Sequence, residues 1–156
     1  MCIRDRIIAH QGSSLELPPN TIEAFELAIN QGADIIELDI WQTKDEIWTV
    51  IHDENLSRIT GIDISIGDVS LSEIRNFDAG FGFYKDNPSI IRSKNIQYYI
   101  PSLEEIFKKF PEQRINIEIK DPDESGLIKL IELISRYNMQ DNILVCLLYT
   151  SDAADE

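Results

Sequence analysis

The chain has 156 residues, 28 of them acidic and 14 basic, which gives a formal net charge of −14. A chain of this length can build one domain with a substantial core, and an apolar fraction of 43% excludes a disordered or fibrous protein. The acidity argues against nucleic acid as a partner, and no apolar run approaches the roughly 20 residues of a membrane span.

The two ends of the chain differ in character from its body. We interpret residues 1–6 and 149–156 as non-native ends that flank a domain at residues 7–148. The two cysteines, Cys2 and Cys146, cannot form a disulfide framework, which favours a reducing compartment. Because no signal peptide is recognisable either, we expect a cytoplasmic protein without integral membrane contact.

The first half of the body alternates apolar runs with an amphipathic segment. Residues 6–10 predict a buried strand, and a helix follows with Asn20 or Thr21 as its N-cap. Residues 34–41 and 48–52 predict the second and third strands. Too few residues separate these two strands for a crossover helix, so by pattern alone they could form a hairpin.

A mixed segment at residues 55–95 follows the third strand and is interpreted as an insertion. Within it, residues 71–77 predict a short helix capped by Ser70 or Ser72, and the Gly- and aromatic-rich residues 79–84 predict a loop.

The last third of the chain returns to strands and helices. Ser102 and Glu105 form a capping box at the start of a helix. Residues 114–120 and 142–148 predict the fourth and fifth strands on either side of a helix at 126–137. This order predicts an α/β fold, either a (β/α) barrel or a doubly wound sheet, with functional residues at the C-terminal ends of the strands.

Side-chain alternation in two strands separates apolar from charged residues. Glu37 and Asp39 share one face of the second strand, and Asn116, Glu118 and Lys120 share one face of the fourth. If both faces of the sheet are covered, the three converging carboxylates predict a site for a hard divalent cation such as Mg²⁺ or Ca²⁺. The alternative is an antiparallel sheet whose charged face is simply exposed to water.

The chain contains two histidines, His10 and His52, and each follows an apolar strand. A histidine at such a position can transfer protons near neutral pH. The alternative interpretation is that each histidine only ends its strand.

Several motifs recur in a fixed order along the chain. They are AHQG (9–12), P-x-NT (18–21), GADIIELDI (32–40), V-I-HD (50–53), L-x-R-x-TG (56–61), IPSLEEIF (100–107) and INIEIK (115–120). In combination, order and spacing they resemble the glycerophosphodiester phosphodiesterase family over roughly residues 7–145.

The resemblance implies an incomplete TIM-type (β/α) barrel with about five of its eight strands and a small insertion after the third. It also implies that the second and third strands are parallel and joined by an extended return. About 80–100 residues would be missing from a typical barrel of roughly 250.

The resemblance also implies roles for individual residues. His10 and His52 match the catalytic histidine pair of the family, and Glu37, Asp39 and Glu118 match its ligands for a divalent cation. We assign the binding of the small glycerophosphodiester substrate to three further residues: Gln11, Asn20 and Lys120.

The implied function is metal-dependent hydrolysis of glycerophosphodiesters to glycerol 3-phosphate and an alcohol, with histidine general acid–base catalysis. Two departures from the family pattern bear on this expectation: Gln11 replaces an arginine, and Pro19 replaces a glutamate. The alternatives are a lysophospholipase D-like phosphodiesterase and a catalytically weakened, ligand-binding relative. The 156-residue chain by itself is expected to be inactive.

Overall fold

The computed structural model of the chain describes residues 6–92, 96–121 and 123–147. The interpretation of the two ends as non-native falls outside these residues, apart from Arg6. The predictions that concern Cys2 and the last residue of the fifth strand also lie outside the described part of the chain.

The described residues form a five-stranded sheet with helices packed on one face. The elements in chain order are β1 (Ile8–His10), α1 (Ile22–Asn30), β2 (Ile35–Gln42), β3 (Trp48–Val50), α2 (Ser57–Thr60), a 3-10 turn (Ile66–Asp68), α3 (Leu71–Ile74), α4 (Phe81–Asp86), α5 (Leu103–Lys109), β4 (Arg114–Ile119), α6 (Glu124–Arg136) and β5 (Ile143–Leu147). The five predicted strands and four predicted helices are present in the predicted order, whereas α2, the 3-10 turn and α4 of the insertion were not predicted.

Four of the strands are parallel neighbours in the order β1-β2-β4-β5. The register pairs Glu37 of β2 with His10 of β1 and Asn116 of β4, and pairs Asp39 with Glu118. A parallel sheet with helices on its outer face is the arrangement of a (β/α) barrel, so the predicted fold class, an incomplete TIM-type barrel, is confirmed.

The implied parallel arrangement of the second and third strands is wrong. β3 pairs antiparallel with the C-terminal end of β2, with Trp41 opposite Thr49 and Gln42 opposite Trp48. The reversal is tight because Glu46, with φ near +60°, donates its backbone N–H to the carbonyl of Thr43. The hairpin that the short spacing left open as an alternative is therefore the observed structure.

Local capping signals fix where the helices begin. Thr21, rather than Asn20, is the N-cap of α1 and accepts a hydrogen bond from the backbone N–H of Ala24. The capping box of Ser102 and Glu105 is present at α5, as predicted, and Ser70 rather than Ser72 caps α3. Each such cap satisfies backbone N–H groups that the first turn of a helix leaves without partners.

The main core lies between the outer face of the sheet and the helices. The alternate isoleucines and leucine of β2 and β4 are fully buried there against residues such as Phe25 and Phe107. A second apolar cluster holds the insertion, with Leu56, Ile74 and Tyr98 among its buried members. The predicted insertion after the third strand is therefore present and has its own packing.

The prediction of a loop at residues 79–84 is wrong, because Phe81–Asp86 forms α4. Gly82 explains how a glycine-rich segment becomes helical here. A Cβ atom at Gly82 would lie 1.9 Å from the carbonyl oxygen of Arg58, so only glycine lets α4 approach α2 this closely. The tertiary contact thus outweighs the poor helix propensity of glycine.

The edges of the sheet, β1 and β5, expose apolar side chains. Ile8 is 55% exposed and Leu144 is 67% exposed, both on the inner face that a closed barrel would cover. Among the described helices, none is both long enough and apolar enough to cross a bilayer.

Candidate active site

The sheet brings the sequence-predicted carboxylates together on its inner face. Glu37 is 6% exposed and Asp39 is fully buried, although both lie opposite the helix-covered face of β2. One carboxylate oxygen from each of Glu37, Asp39 and Glu118 lies within 4.8 Å of the others. The alternative of a charged face exposed to water is therefore wrong for β2.

Asp39 is the centre of a hydrogen-bond network. Its Oδ2 accepts a hydrogen bond from the side-chain amide of Gln11 at 2.6 Å and another from the amide of Asn20 at 3.0 Å. Lys120 Nζ lies 3.0 Å from Asp39 Oδ1 and also forms an ion pair with Glu118. Asp39 Oδ2 is thus held by two side-chain amides, whereas Oδ1 faces the ammonium of Lys120.

Lys120 is mostly shielded from water, because its side chain is 16% exposed. Burial alone would lower its pKa, but the ion pairs with Glu118 and Asp39 outweigh burial and hold the pKa above its ordinary value. The lysine therefore stays cationic and offsets one of the three negative charges around it.

Glu37 lies at the end of the carboxylate group nearest to His10. Burial and the negative charges of Asp39 and Glu118 raise the pKa of Glu37 above its ordinary value, in spite of a backbone hydrogen bond from Gln11. The imidazole Nε2 of His10 lies 3.8 Å from Glu37 Oε2, and the His10 side chain is 74% exposed.

The chemistry of these donors fits a hard divalent cation. Three carboxylates with a single compensating lysine leave an excess of negative charge in a site with buried walls, which is unfavourable without a further cation. Oxygen ligands are those that Mg²⁺ and Ca²⁺ prefer. The group formed by Glu37, Asp39 and Glu118 can therefore hold a metal ion, with Lys120 beside it.

The loop after β1 reaches this site through unusual backbone conformations. Gln11 and Asn20 have φ angles near +57° and +59°, values that L-residues rarely adopt. The loop is fixed because Asn20 donates its backbone N–H to the carbonyl of Gln11, and Gln11 donates its own to Glu37. The unfavourable backbone conformations of Gln11 and Asn20 therefore place both side-chain amides within hydrogen-bond distance of the Asp39 carboxylate.

The second histidine belongs to a separate chain of contacts. His52 Nδ1 lies 2.7 Å from Asp53 Oδ1, and Arg58 forms an ion pair with the other oxygen of Asp53 through Nε. Partial burial would raise the pKa of Asp53, but the hydrogen bonds from Arg58 and His52 hold it below its ordinary value. Trp41 donates its indole N–H to the carbonyl of His52 at 2.9 Å and so anchors this loop.

Asp53 and Arg58 were not among the site residues predicted from the sequence. Both belong to motifs named above, V-I-HD and L-x-R-x-TG. The signal available was a carboxylate directly after a candidate catalytic histidine, which is a common way to fix the tautomer of an imidazole.

Two hollows connect these groups. The smaller, of about 10 Å³, is lined by Gln11, Asn20, His52 and Arg58 among others, so it touches both halves of the site. The larger, of about 210 Å³, lies between the loop after β1 and α4. The two hollows share Arg58 and Pro19 as walls.

The chain is similar to known proteins over most of its length. The model of the glycerophosphoryl diester phosphodiesterase family matches residues 10–153. A glycerophosphodiester phosphodiesterase of Caldanaerobacter subterraneus subsp. tengcongensis is 38% identical over 148 residues, and a Homo sapiens lysophospholipase D is 37% identical over 133 residues. These matches cover 89% and 85% of this chain but 56% and 42% of the relatives, so the chain spans about half of their length.

Solved structures are also similar to most of this chain, and the match again covers little more than half of each solved chain. A glycerophosphodiester phosphodiesterase from Agrobacterium tumefaciens superimposes with a TM-score of 0.78 at 30% identity, covering 92% of this chain and 58% of that one. An Oleispira antarctica phosphodiesterase in complex with the product sn-glycerol-3-phosphate superimposes with a TM-score of 0.76 at 29% identity, covering 92% and 57%.

Proposed function

The chain belongs to the glycerophosphoryl diester phosphodiesterase family, and we propose that the full-length protein hydrolyses glycerophosphodiesters. The products would be glycerol 3-phosphate and an alcohol. The observation that carries the proposal is the convergence of Glu37, Asp39 and Glu118 on the inner face of the sheet, beside Lys120 and His10.

We propose that these three carboxylates hold a divalent cation, Mg²⁺ or Ca²⁺. When bound, such a cation supplies positive charge that offsets the negative charge developing on the phosphate. Lys120 adds a second positive charge at the same place, because its ammonium already lies against Asp39 and Glu118. Asn20 supports substrate binding, since its buried Oδ1 has no hydrogen-bond partner among the described residues.

The two histidines carry the proton transfers in this proposal. His10 removes a proton from the nucleophile, and His52 protonates the leaving alkoxide. If the nucleophile is water, glycerol 3-phosphate forms directly. If it is the neighbouring glycerol hydroxyl, the bond from phosphorus to the alcohol breaks, a cyclic phosphate forms, and water then opens it to glycerol 3-phosphate. The contact of His52 Nδ1 with Asp53 supports this role. With its Nδ1 proton directed at the carboxylate, the imidazole has Nε2 free to exchange a proton with the substrate.

We make three further proposals, which concern the domain, the kind of substrate and the location of the whole protein. We propose that residues 7–148 form part of the barrel domain, that the protein acts on a small molecule, and that it is located in the cytoplasm. The first is supported by the family match, which begins at His10.

The proposal is tested by product analysis with the full-length protein. Glycerophosphocholine is incubated with the enzyme before and after treatment with EDTA, and glycerol 3-phosphate and choline are quantified. We expect hydrolysis that EDTA abolishes and that added Mg²⁺ or Ca²⁺ restores. Undiminished turnover in the chelator would contradict the metal role, and binding without turnover would favour a ligand-binding relative.

A second candidate function is lysophospholipase D activity. It is favoured by the 37% identity to a human protein of that name. The same assay with lysophosphatidylcholine distinguishes the two functions. A higher kcat/KM for lysophosphatidylcholine than for glycerophosphocholine would favour lysophospholipase D activity, and the reverse would favour glycerophosphodiester hydrolysis.

A further inference from the structure

The antiparallel hairpin of β2 and β3 links the carboxylate group to His52. Glu37 and Asp39 lie on the inner face of β2, and Trp41 follows two residues further along the same face. The chain then turns back, and β3 ends at Val50, two residues before His52. One strand therefore carries two of the proposed metal ligands, and its antiparallel partner leads directly into the proposed proton donor.

Beyond the strand ladder, hydrogen bonds hold the segment that ends at His52 against β2. The hydroxyl of Thr49 donates to the carbonyl of Trp41 at 3.0 Å, and the backbone N–H of Ile51 donates to the carbonyl of Asp39 at 2.9 Å. The indole N–H of Trp41 donates to the carbonyl of His52 itself, at 2.9 Å. Trp41 therefore takes part in two of these bonds and makes the one nearest to the imidazole.

The other contacts of His52 do not fix its position relative to the carboxylates. Its side chain is 46% exposed, and among the described residues its ring has Asp53 as hydrogen-bond partner. Asp53 and its own partner Arg58 both follow His52 in the chain, so they orient the ring within this loop. The indole of Trp41, in contrast, joins His52 to the strand that carries Asp39.

We propose that Trp41 is a positioning residue, which acts through His52 and fixes the imidazole relative to the carboxylate group. The proposal rests on the proposed function, in which His52 protonates the leaving alkoxide. A proton donor must lie within hydrogen-bond distance of the oxygen that leaves, and a displacement of about 1 Å can slow a reaction roughly 100-fold. Trp41 thereby couples the proton transfer to the strand that binds the metal.

The environment of the indole bond separates this role from a purely structural one. The bond between Trp41 and His52 is exposed, so water can pair with the His52 carbonyl when the indole is absent. Loss of the indole N–H should therefore change the position of His52 more than the stability of the fold.

The test replaces each of two tryptophans in the full-length enzyme, with glycerophosphocholine as substrate. Trp41→Phe keeps an aromatic ring but removes the N–H, and it should lower kcat about five- to tenfold, the weight of one hydrogen bond, with KM and Tm nearly unchanged. Trp48→Phe is the matched control, because the buried indole of Trp48 donates to the carbonyl of Gly126 in the contact between β3 and α6. This variant should lower Tm by a few degrees and leave kcat unchanged.

A second substrate isolates the positioning of the proton donor. The p-nitrophenyl ester of glycerol 3-phosphate releases p-nitrophenolate, which leaves without a proton, so Trp41→Phe should slow its hydrolysis far less. A double variant gives an independent readout. In the His52→Ala background, Trp41→Phe should cause no further loss with glycerophosphocholine, because a positioning residue acts through the residue that it positions.

Three results would overturn the assignment. They are equal losses of kcat with both substrates, an additive loss in the double variant, and a Trp41→Phe enzyme that keeps the kcat of the unmodified protein. Absence of glycerophosphocholine hydrolysis by the unmodified enzyme would instead contradict the proposed function, so the two failures are distinguishable.

Discussion

Gln11 donates a hydrogen bond from its side-chain amide to Oδ2 of the fully buried Asp39, at 2.6 Å. The resemblance described above implies an arginine at this position, and Gln11 is a neutral donor instead. Because a guanidinium binds phosphate oxygens through two parallel charged hydrogen bonds, we expect this exchange to be the main functional departure.

The first prediction follows from this position. In the full-length enzyme, Gln11→Arg should raise kcat/KM for simple glycerophosphodiesters roughly five- to tenfold, because a charged hydrogen bond exceeds a neutral one by about 1 kcal/mol. Gln11→Lys is the control, since it adds the charge without the planar fork and should gain less. Lower activity of the arginine variant with an intact fold would mean that Gln11 serves a different substrate.

The second prediction concerns the histidines. His10→Ala and His52→Ala should each lower kcat on the order of 100-fold or more, the usual contribution of general acid–base catalysis. Both side chains are substantially exposed, at 74% and 46%, so folding should survive, as circular dichroism can verify. A variant that keeps nearly full activity would show that its histidine only ends a strand.

The third prediction concerns the 156-residue chain alone. Within the described residues the sheet has two unpaired edges and exposes Ile8 and Leu144 on the inner face, so we expect aggregation or a loosely packed, inactive state. Circular dichroism during heating measures the cooperativity of unfolding, and size-exclusion chromatography measures the association state. A sharp cooperative transition of a monomer would contradict the prediction.

The fourth prediction is a pH dependence in the insertion. Arg92 pairs with both oxygens of Asp78, and its hydrogen bonds outweigh partial burial and lower the pKa of that carboxyl. A lowered pKa in the folded state stabilises the fold above the unfolded-state pKa of about 4. This stabilisation should be lost as the pH falls further.

The measurement is denaturant unfolding of the full-length protein at pH 7 and at successively lower pH. Arg92→Met should reduce the free energy of unfolding at pH 7 and flatten its decline in acid. An equally steep decline in the variant would show that other carboxylates are responsible.

The strand and helix order was predictable from sequence because alternation and capping are local. The resemblance implied the wrong pairing for β3, and the short spacing before Trp48 was the better guide, because the six residues between the two predicted strands are too few for a crossover. The helix at Phe81–Asp86 could not be predicted, because it depends on the contact between Gly82 and the backbone of Arg58.

The candidate site divides in the same way. The alternation of apolar and charged side chains along β2 and β4 indicated that Glu37, Asp39 and Glu118 share one face of the sheet. The structure brings their carboxylates together. The contacts of Asp53 and Arg58 arise from folding of the loop after β3, which no periodic pattern encodes. The substrate-binding role of Gln11 stays a prediction, because its side chain contacts Asp39 in this structure.

The central claim is that the three carboxylates form a metal centre, and titration calorimetry of the metal-free full-length protein with Mg²⁺ and Ca²⁺ tests it most directly. We predict one bound ion per chain, and a loss of affinity on the order of 10- to 100-fold or more in Asp39→Asn, whereas Asp68→Asn should bind as the unmodified protein does. Binding of equal strength in Asp39→Asn, or no binding in the unmodified protein, would contradict the account.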